Sequence, residues 1–213
     1  MTISRDGAVT GLARRVVTTF YRRMVVVTKD VDTNAIQVSP GIPSEIRILD
    51  DSEVGAYLAF KPFQRRTDVE TRLSQGHRCF AVWHEGRIVH AGWAATERAN
   101  IPYLHSDILL GPKDFYIYDS YTNPSFRRAK LVIARSSAMH VHFGGRGFLR
   151  SYGVIALMNR AGLAVVEPSG YRRIGMYGCV RLGLTTVAWA YPDPAEPLPR
   201  LVKTTSRQPV SGT

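Results

Sequence analysis

Apolar positions along the chain follow two periods, and the places where one gives way to the other outline the elements. Leu12, Val16, Val17, Phe20 and Tyr21 recur at helical spacing behind Thr10, with Arg14, Arg15, Arg22 and Arg23 between them. A short basic helix reaching residue 23 is predicted. Residues 24–27 are β-branched and strand-like, 30–43 read as loop, and 45–49 as a strand. Asp51 or Ser52 is placed to cap a helix running to residue 61, and a second helix over 67–75 is closed by Gly76. Strand-like runs at 78–83 and 87–94 flank His84-Glu85-Gly86, which predicts a hairpin. An aromatic, alternating strand over 115–121 ends at Thr122-Asn123-Pro124, and a helix is expected from Ser125 or Phe126 to His142. Beyond Gly144-Gly145 come an apolar strand at 152–158, a short helix at 159–166 broken by Pro168, and final strands at 171–181 and 185–191. From Pro192 onward four prolines in nine residues and a polar end read as a flexible tail, 192–213.

Strands run together first and then alternate with helices, so the expected class is α+β, a mixed sheet covered by helices. The chain's 213 residues, 45% of them apolar, suffice for one domain with a sizeable core. No apolar run approaches the roughly 20 residues that cross a bilayer. A secretion signal is not expected at the N-terminus, and two cysteines are too few for a disulfide scaffold or a four-cysteine zinc site. A cytoplasmic location follows as the expectation. Cys79 and Cys179 sit inside strand-like runs and read as buried spacers.

Charge narrows the choice of partners. Five Lys and 23 Arg stand against 17 acids, a net charge of +11. Arginine's planar fork suits phosphate and carboxylate, so the charge is compatible with nucleic acid, anionic lipid or a phosphorylated small molecule and does not by itself choose among them. From Ser120 to Val166 there is no Asp or Glu, whereas Arg127, Arg128, Lys130, Arg135, Arg146, Arg150 and Arg160 all fall there. The alternatives are an anion site in this half and chance clustering in an Arg-rich chain. The basic helix before residue 24 either packs on the domain or docks weakly on a membrane surface.

The segment 116–132, YIYDSYTNPSFRRAKLV, joins these observations. A strand ends near a proline, the chain turns, and a helix begins among basic residues. Helix N-termini carry unpaired N–H groups and about half a positive charge, so such an end can cradle a pyrophosphate. This segment resembles the pyrophosphate loop of the GNAT N-acyltransferases, which bind acetyl-CoA. The resemblance covers about 46–191 and rests on Thr122-Asn123-Pro124, Arg127, the later Asn159 and Gly170-Tyr171, with the hairpin 79–94 standing where the family has central antiparallel strands. Arg72-Leu73 and Gly76 add a likeness to members encoded with polysaccharide-biosynthesis genes.

The resemblance implies a mixed, mainly antiparallel central sheet flanked by helices, with 44–191 as the acyltransferase domain behind the basic helix and leading strand and loop of 1–43, and acetyl-CoA or another acyl-CoA as co-substrate. It places Tyr121, Thr122, Asn123, Arg127, Arg128, Ala129, Lys130, Leu131, Val132 and Asn159 on the cofactor. Where the family loop is rich in Gly, this chain has Arg128, Ala129, Lys130 and Val132. These side chains either narrow the approach of phosphate or replace amide contacts with charge-assisted ones. Val166 occupies the position of the family's thiolate-protonating Tyr.

Asp119, on the strand leading to the turn, is the expected general base toward an amine acceptor, directly or through water. The alternative is that it caps a turn or pairs with an arginine. His105 and Asp107 are further candidates. Trp83, Tyr103, His105, Asp107 and Tyr118 form the expected acceptor site, with Trp93 nearby, and an amino sugar is the favoured amine. No metal is expected, because His140 and His142 lack a third ligand at ligand spacing. The aromatics among basic residues lack any recognised RNA motif, and no nucleic-acid partner is expected. Gly144-Gly145-Arg146-Gly147 follows a helix and lacks the Lys-Ser/Thr ending, so it is a connection and not a phosphate loop. The expected activity is transfer of an acyl group to a primary amine, and the alternative is a GNAT-shaped binding or scaffolding protein without turnover.

Overall fold

The structure, a computed structural model, describes residues 21–31, 38–127, 129–182 and 185–204. Eleven strands are seen among them. The first, β1 (Tyr21–Asp30), and β2 (Glu45–Ile48) precede two helices, α1 (Val54–Phe60) and α2 (Arg66–Ser74). The hairpin β3 (Arg78–His84) and β4 (Arg87–Ala95) turns through Glu85 and Gly86, both at positive φ, the geometry of a two-residue hairpin whose twist matches its strands. A small hairpin, β5 (Arg98–Ile101) and β6 (Ser106–Leu109), leads to β7 (Asp114–Thr122). Then come α3 (Leu131–Gly144), β8 (Arg150–Ala156), α4 (Arg160–Ala164), β9 (Arg172–Leu182), β10 (Thr185–Pro192) and β11 (Arg200–Lys203).

Eight strands form one sheet in the order β10-β9-β1-β8-β7-β4-β3-β2, and every pairing in it is antiparallel except β7 with β8. A second, antiparallel sheet has the order β11-β6-β5. The expected α+β architecture is therefore present. Alternation on β3 and β4 sends Cys79, Ala81, Ile88, Ala91 and Trp93 toward Val54, Tyr57 and Val69 of α1 and α2. Phe80, Ala94 and Phe115 pack on Met139 and Phe143 of α3, across the opposite face. Both cysteines are free and buried.

Several boundaries differ from the sequence expectation for physical reasons. Residues 21–23, expected at the end of a helix, belong to β1, where pairing with β8 and β9 on both sides outweighs the local helical period. The rest of that predicted helix lies outside the described residues. In the main sheet β1 lies between β8 and β9. Residues 200–203, expected in the tail, pair with β6. The helix expected from 125 starts at Leu131; Pro124–Phe126 is a separate 3-10 turn capped by the Asn123 side chain.

A buried histidine beneath β8 is expected to make the fold acid-sensitive. His140, 2% exposed, faces the hydroxyls of Ser151 at 2.9 Å and Tyr171 at 3.1 Å. Burial, reinforced by Lys29 and Arg135, pushes its pKa down to about 4. The folded chain thus takes up this proton less readily than the unfolded one. Stability is whole above about pH 6.5 and falls as pH drops toward 4, by roughly 3 kcal/mol from this group. Urea midpoints at pH 7.5 and 4.5 check this: His140→Gln flattens the dependence, and an unchanged slope contradicts the assignment.

Candidate active site

The sheet opens at one place. The strands β7 and β8 pair only from Asp114↔Arg150 to Ile117↔Gly153, yet β7 runs on to Thr122 and β8 to Ala156. Beyond that point their facing peptide groups are not paired with each other, and an extended ligand can hydrogen-bond there as an inserted strand would. A bulge sharpens the opening. Trp93 pairs with Tyr118 and Ala91 with Tyr121, so Asp119 and Ser120 together stand opposite Gly92, with Asp119 at φ 50°.

The chain leaves the opening through the basic turn. Asn123 donates its N–H to Val89 O, and its side chain accepts from Ser125 N at 3.1 Å, which fixes the exit direction. Ala129 O accepts from Gly41 N at 2.9 Å, so the 38–43 segment braces the loop from outside. Lys130 stands at the N-cap of α3 in the left-handed conformation (φ 54°, ψ 18°) with no side-chain cap. The N–H groups of the first turn, Leu131 and Val132 among them, are thus left to a ligand or water. Arg127 and Lys130 are exposed, and neither pairs with a carboxylate among the described residues. Arg128 lies outside the described residues.

A left-handed Lys costs about 1–2 kcal/mol where Gly costs nothing. Lys130→Gly is expected to raise stability by about 1 kcal/mol, less the added freedom of the unfolded chain, while weakening anion affinity. Denaturation and anion titration of the same variant check both signs.

The other wall is built by α1, α2 and the loop between them. Lys61, 4% exposed, and Arg72 each pair with one oxygen of Asp119, the Arg72 Nη1 at 2.6 Å. The Arg72 guanidinium lies against the rings of Trp93 and Tyr118, 5.2 and 5.3 Å from their centres. Tyr118 OH donates to His77 Nδ1 at 2.5 Å, and His77 Nε2 donates to Arg98 O at 3.1 Å. Burial raises the Tyr118 hydroxyl's pKa and lowers that of His77, so both stay neutral near pH 7. Phe63, 68% exposed, meets Tyr121 edge-on. Asp119 therefore pairs with an arginine, the alternative weighed against a base, and with a lysine besides.

Not all expected site residues converge. Trp83 lies at the hairpin end of β3 under Arg47, beside a shallow groove of about 520 Å³ with Glu45 and Glu85, two strands from the opening. Its indole nitrogen has no hydrogen-bond partner among the described residues. Asp107 is held by Arg98, Asn100 and Thr204 and ties the small sheet together. Tyr103 packs under Arg22, and His105 turns the β5–β6 hairpin at φ 51°. Among the described residues none of these four pairs with Asp119: Trp83 is two strands away in the main sheet, and Tyr103, His105 and Asp107 belong to the β5–β6 hairpin, which lies in a sheet of its own. Asn159 begins α4 just after β8, its Oδ1 accepting from Gly162 N. Val166, 3% exposed, packs on Val25 and Val27. Lys61, Phe63 and Arg72 were not anticipated; a lone Lys closing a helix gives no signal of its partner.

Among the described residues no cluster of His, Cys, Asp or Glu could hold a metal, and no helix is long and apolar enough to cross a membrane. No protein-family model matches the chain, and no curated protein matches it in sequence. Solved structures do share its fold. A putative GNAT-family acetyltransferase from Novosphingobium aromaticivorans is 14% identical over 74% of this chain, with a TM-score of 0.53, and the chain spans 62% of its length. A GCN5-related N-acetyltransferase from Sphaerobacter thermophilus is 12% identical (TM-score 0.55; 79% of this chain, 55% of that one). A glucosamine N-acetyltransferase region of a fungal multi-domain β-N-acetylglucosaminidase is also 12% identical (TM-score 0.56; 84% of this chain, 23% of that one). The chain has the fold of the GNAT acetyltransferases.

Proposed function

We propose that this chain is an N-acyltransferase that moves an acetyl or other acyl group from acyl-CoA to a primary amine of a small molecule. The observation that carries the reading is the opening between β7 and β8, ending at a basic, uncapped helix start. The donor set fits the ligand: unpaired strand edges suit the amides of a pantetheine arm, and the α3 N-terminus with Arg127 and Lys130 suits a pyrophosphate, to which the sequence adds Arg128. Asn159, at the start of α4 just after β8, is the further residue assigned to that arm. The co-substrate supplies a thioester, whose carbonyl carbon the amine attacks. A C–N bond forms as the C–S bond breaks, the nitrogen loses a proton, and the sulfur gains one.

The chain's own residues act mainly by positioning, which contributes several kcal/mol when the reacting atoms are held at attack distance. Asp119 accepts from the incoming amine at the mouth of the opening and takes its proton directly or through water. Lys61 and Arg72 hold that carboxylate in place. With Val166 packed in the core, the leaving sulfur takes its proton from water. The exposed ring of Phe63 beside Tyr121 offers an apolar face on which a sugar ring can stack, which supports an amino sugar as acceptor.

A second reading is a binding protein without turnover, favoured by the two cations already on Asp119 and by the buried Val166. Acyl transfer to a panel of amines and amino sugars decides between them. Turnover that Arg127→Ala lowers at least tenfold supports the enzyme. Saturable acyl-CoA binding with no transfer to any amine leaves the binding protein.

A further inference from the structure

Arg135 is a charge without a counter-charge. It projects from the second turn of α3, is 2% exposed, and makes three hydrogen bonds, all to neutral groups. Its Nε donates to His90 Nε2 at 3.2 Å, its Nη1 to Met139 Sδ at 3.1 Å, and its Nη2 to Ser120 Oγ at 2.9 Å. No carboxylate pairs with it among the described residues, and burial pulls its pKa down to about 10, so it remains a cation near neutral pH. A guanidinium removed from water is costly unless something compensates it.

The niche is built for this group. A Cβ on Gly92 would stand 2.8 Å from the guanidinium carbon, so the strand gives up a side chain there to admit it. With Nε2 accepting from Arg135, His90 carries its proton on Nδ1 and donates it to Thr122 Oγ1 at 2.8 Å. Burial and Arg135 itself keep that histidine neutral. Gly92 is also the residue opposite the bulge. The cation therefore lies directly behind Asp119 and Ser120, where β7 leaves β8. Ser120 is exposed; its oxygen accepts from Arg135, and its own proton remains to be donated outward.

We propose that Arg135 is a positioning residue that, through Ser120, polarises the acyl carbonyl held at the bulge of β7. The inference rests on the acyltransferase reading. The compensation missing from the free protein is then supplied by the carbonyl oxygen, which gains negative charge as the amine adds. In Arg135→Lys the charge is kept; in Arg135→Gln it is lost, while a donor toward His90 or Ser120 remains. Ser120→Ala cuts the link at the surface without touching the buried group and guards against a variant that does not fold.

The test is infrared difference spectroscopy of isotopically labelled acetyl-CoA bound to the full chain, with affinity measured in parallel by calorimetry. The carbonyl band is expected to shift to lower frequency on binding to the wild type. Arg135→Gln and Ser120→Ala each lose at least half of that shift with affinity changed less than threefold, and Arg135→Lys keeps most of it. A band position that is the same in wild type, Arg135→Gln and Ser120→Ala, with binding intact, overturns the role of Arg135 and leaves the acyltransferase reading standing. Absence of any acetyl-CoA binding to the wild type overturns both.

Discussion

Replacing Asp119 by Ala is expected to destabilise the fold by about 2–4 kcal/mol. Lys61 and Arg72 converge on its two oxygens, and Lys61 is 4% exposed. Removing the shared carboxylate leaves two cations facing each other in a mostly water-free space, and breaking a buried ion pair from one side typically costs about 3–5 kcal/mol. The quarter of the Asp119 side chain that remains exposed brings the figure down. This group ties the ends of α1 and α2 to β7 beside the opening. Chemical denaturation checks the value. A partner variant, Lys61→Met with Arg72→Met and Asp119→Asn, is expected to recover most of the lost stability, because both cations are replaced by apolar groups and Asn tolerates the left-handed backbone at this position. A change below about 0.5 kcal/mol in Asp119→Ala would contradict the stabilising role of this ion-pair network.

The second large effect concerns the basic turn. Arg127→Ala combined with Lys130→Gly is expected to weaken acetyl-CoA binding by about 100-fold at low salt, since a hydrogen bond to a charged group contributes about 1.5–3 kcal/mol when well placed and both side chains are exposed enough to be partly screened. The salt dependence of binding should flatten at the same time, because two of the cations that meet phosphate are gone. Thermal stability should stay the same or rise, Lys130→Gly having relieved the left-handed backbone. Affinity unchanged within threefold, with the salt dependence intact, would place the phosphates elsewhere on the surface.

Much of the architecture is legible from residues alone where local chemistry and tertiary packing agree. Glu85-Gly86 sits between two apolar runs and forms the hairpin turn they predict. Gly76 closes α2 at φ 80°, and Thr122-Asn123-Pro124 ends β7 where expected. The reading fails where distant pairing decides. A four-residue strand such as β11 carries no period of its own and exists because β6 presents an edge. Tyr21, Arg22 and Arg23 fit a helical stripe but are claimed by a two-sided strand position. Asp119 stands out in the sequence, whereas Lys61 and Arg72, 58 and 47 residues away, become its partners only when α1 and α2 fold over the sheet. Trp83, Tyr103, His105 and Asp107 share polarity and aromaticity with a binding site but lie on elements that the topology carries elsewhere. One available signal pointed to Arg135: the glycine inside β4 at position 92, since an interior strand Gly marks the close approach of another group.

The central claim is that the unzipped edge of β7 and the cationic start of α3 form one acyl-CoA site, and titration calorimetry of the full chain with acetyl-CoA tests it most directly. The account predicts saturable binding at low ionic strength that weakens steadily as salt is added. Heat no greater than dilution, for acetyl-CoA and for longer acyl-CoAs alike at low ionic strength, would contradict it.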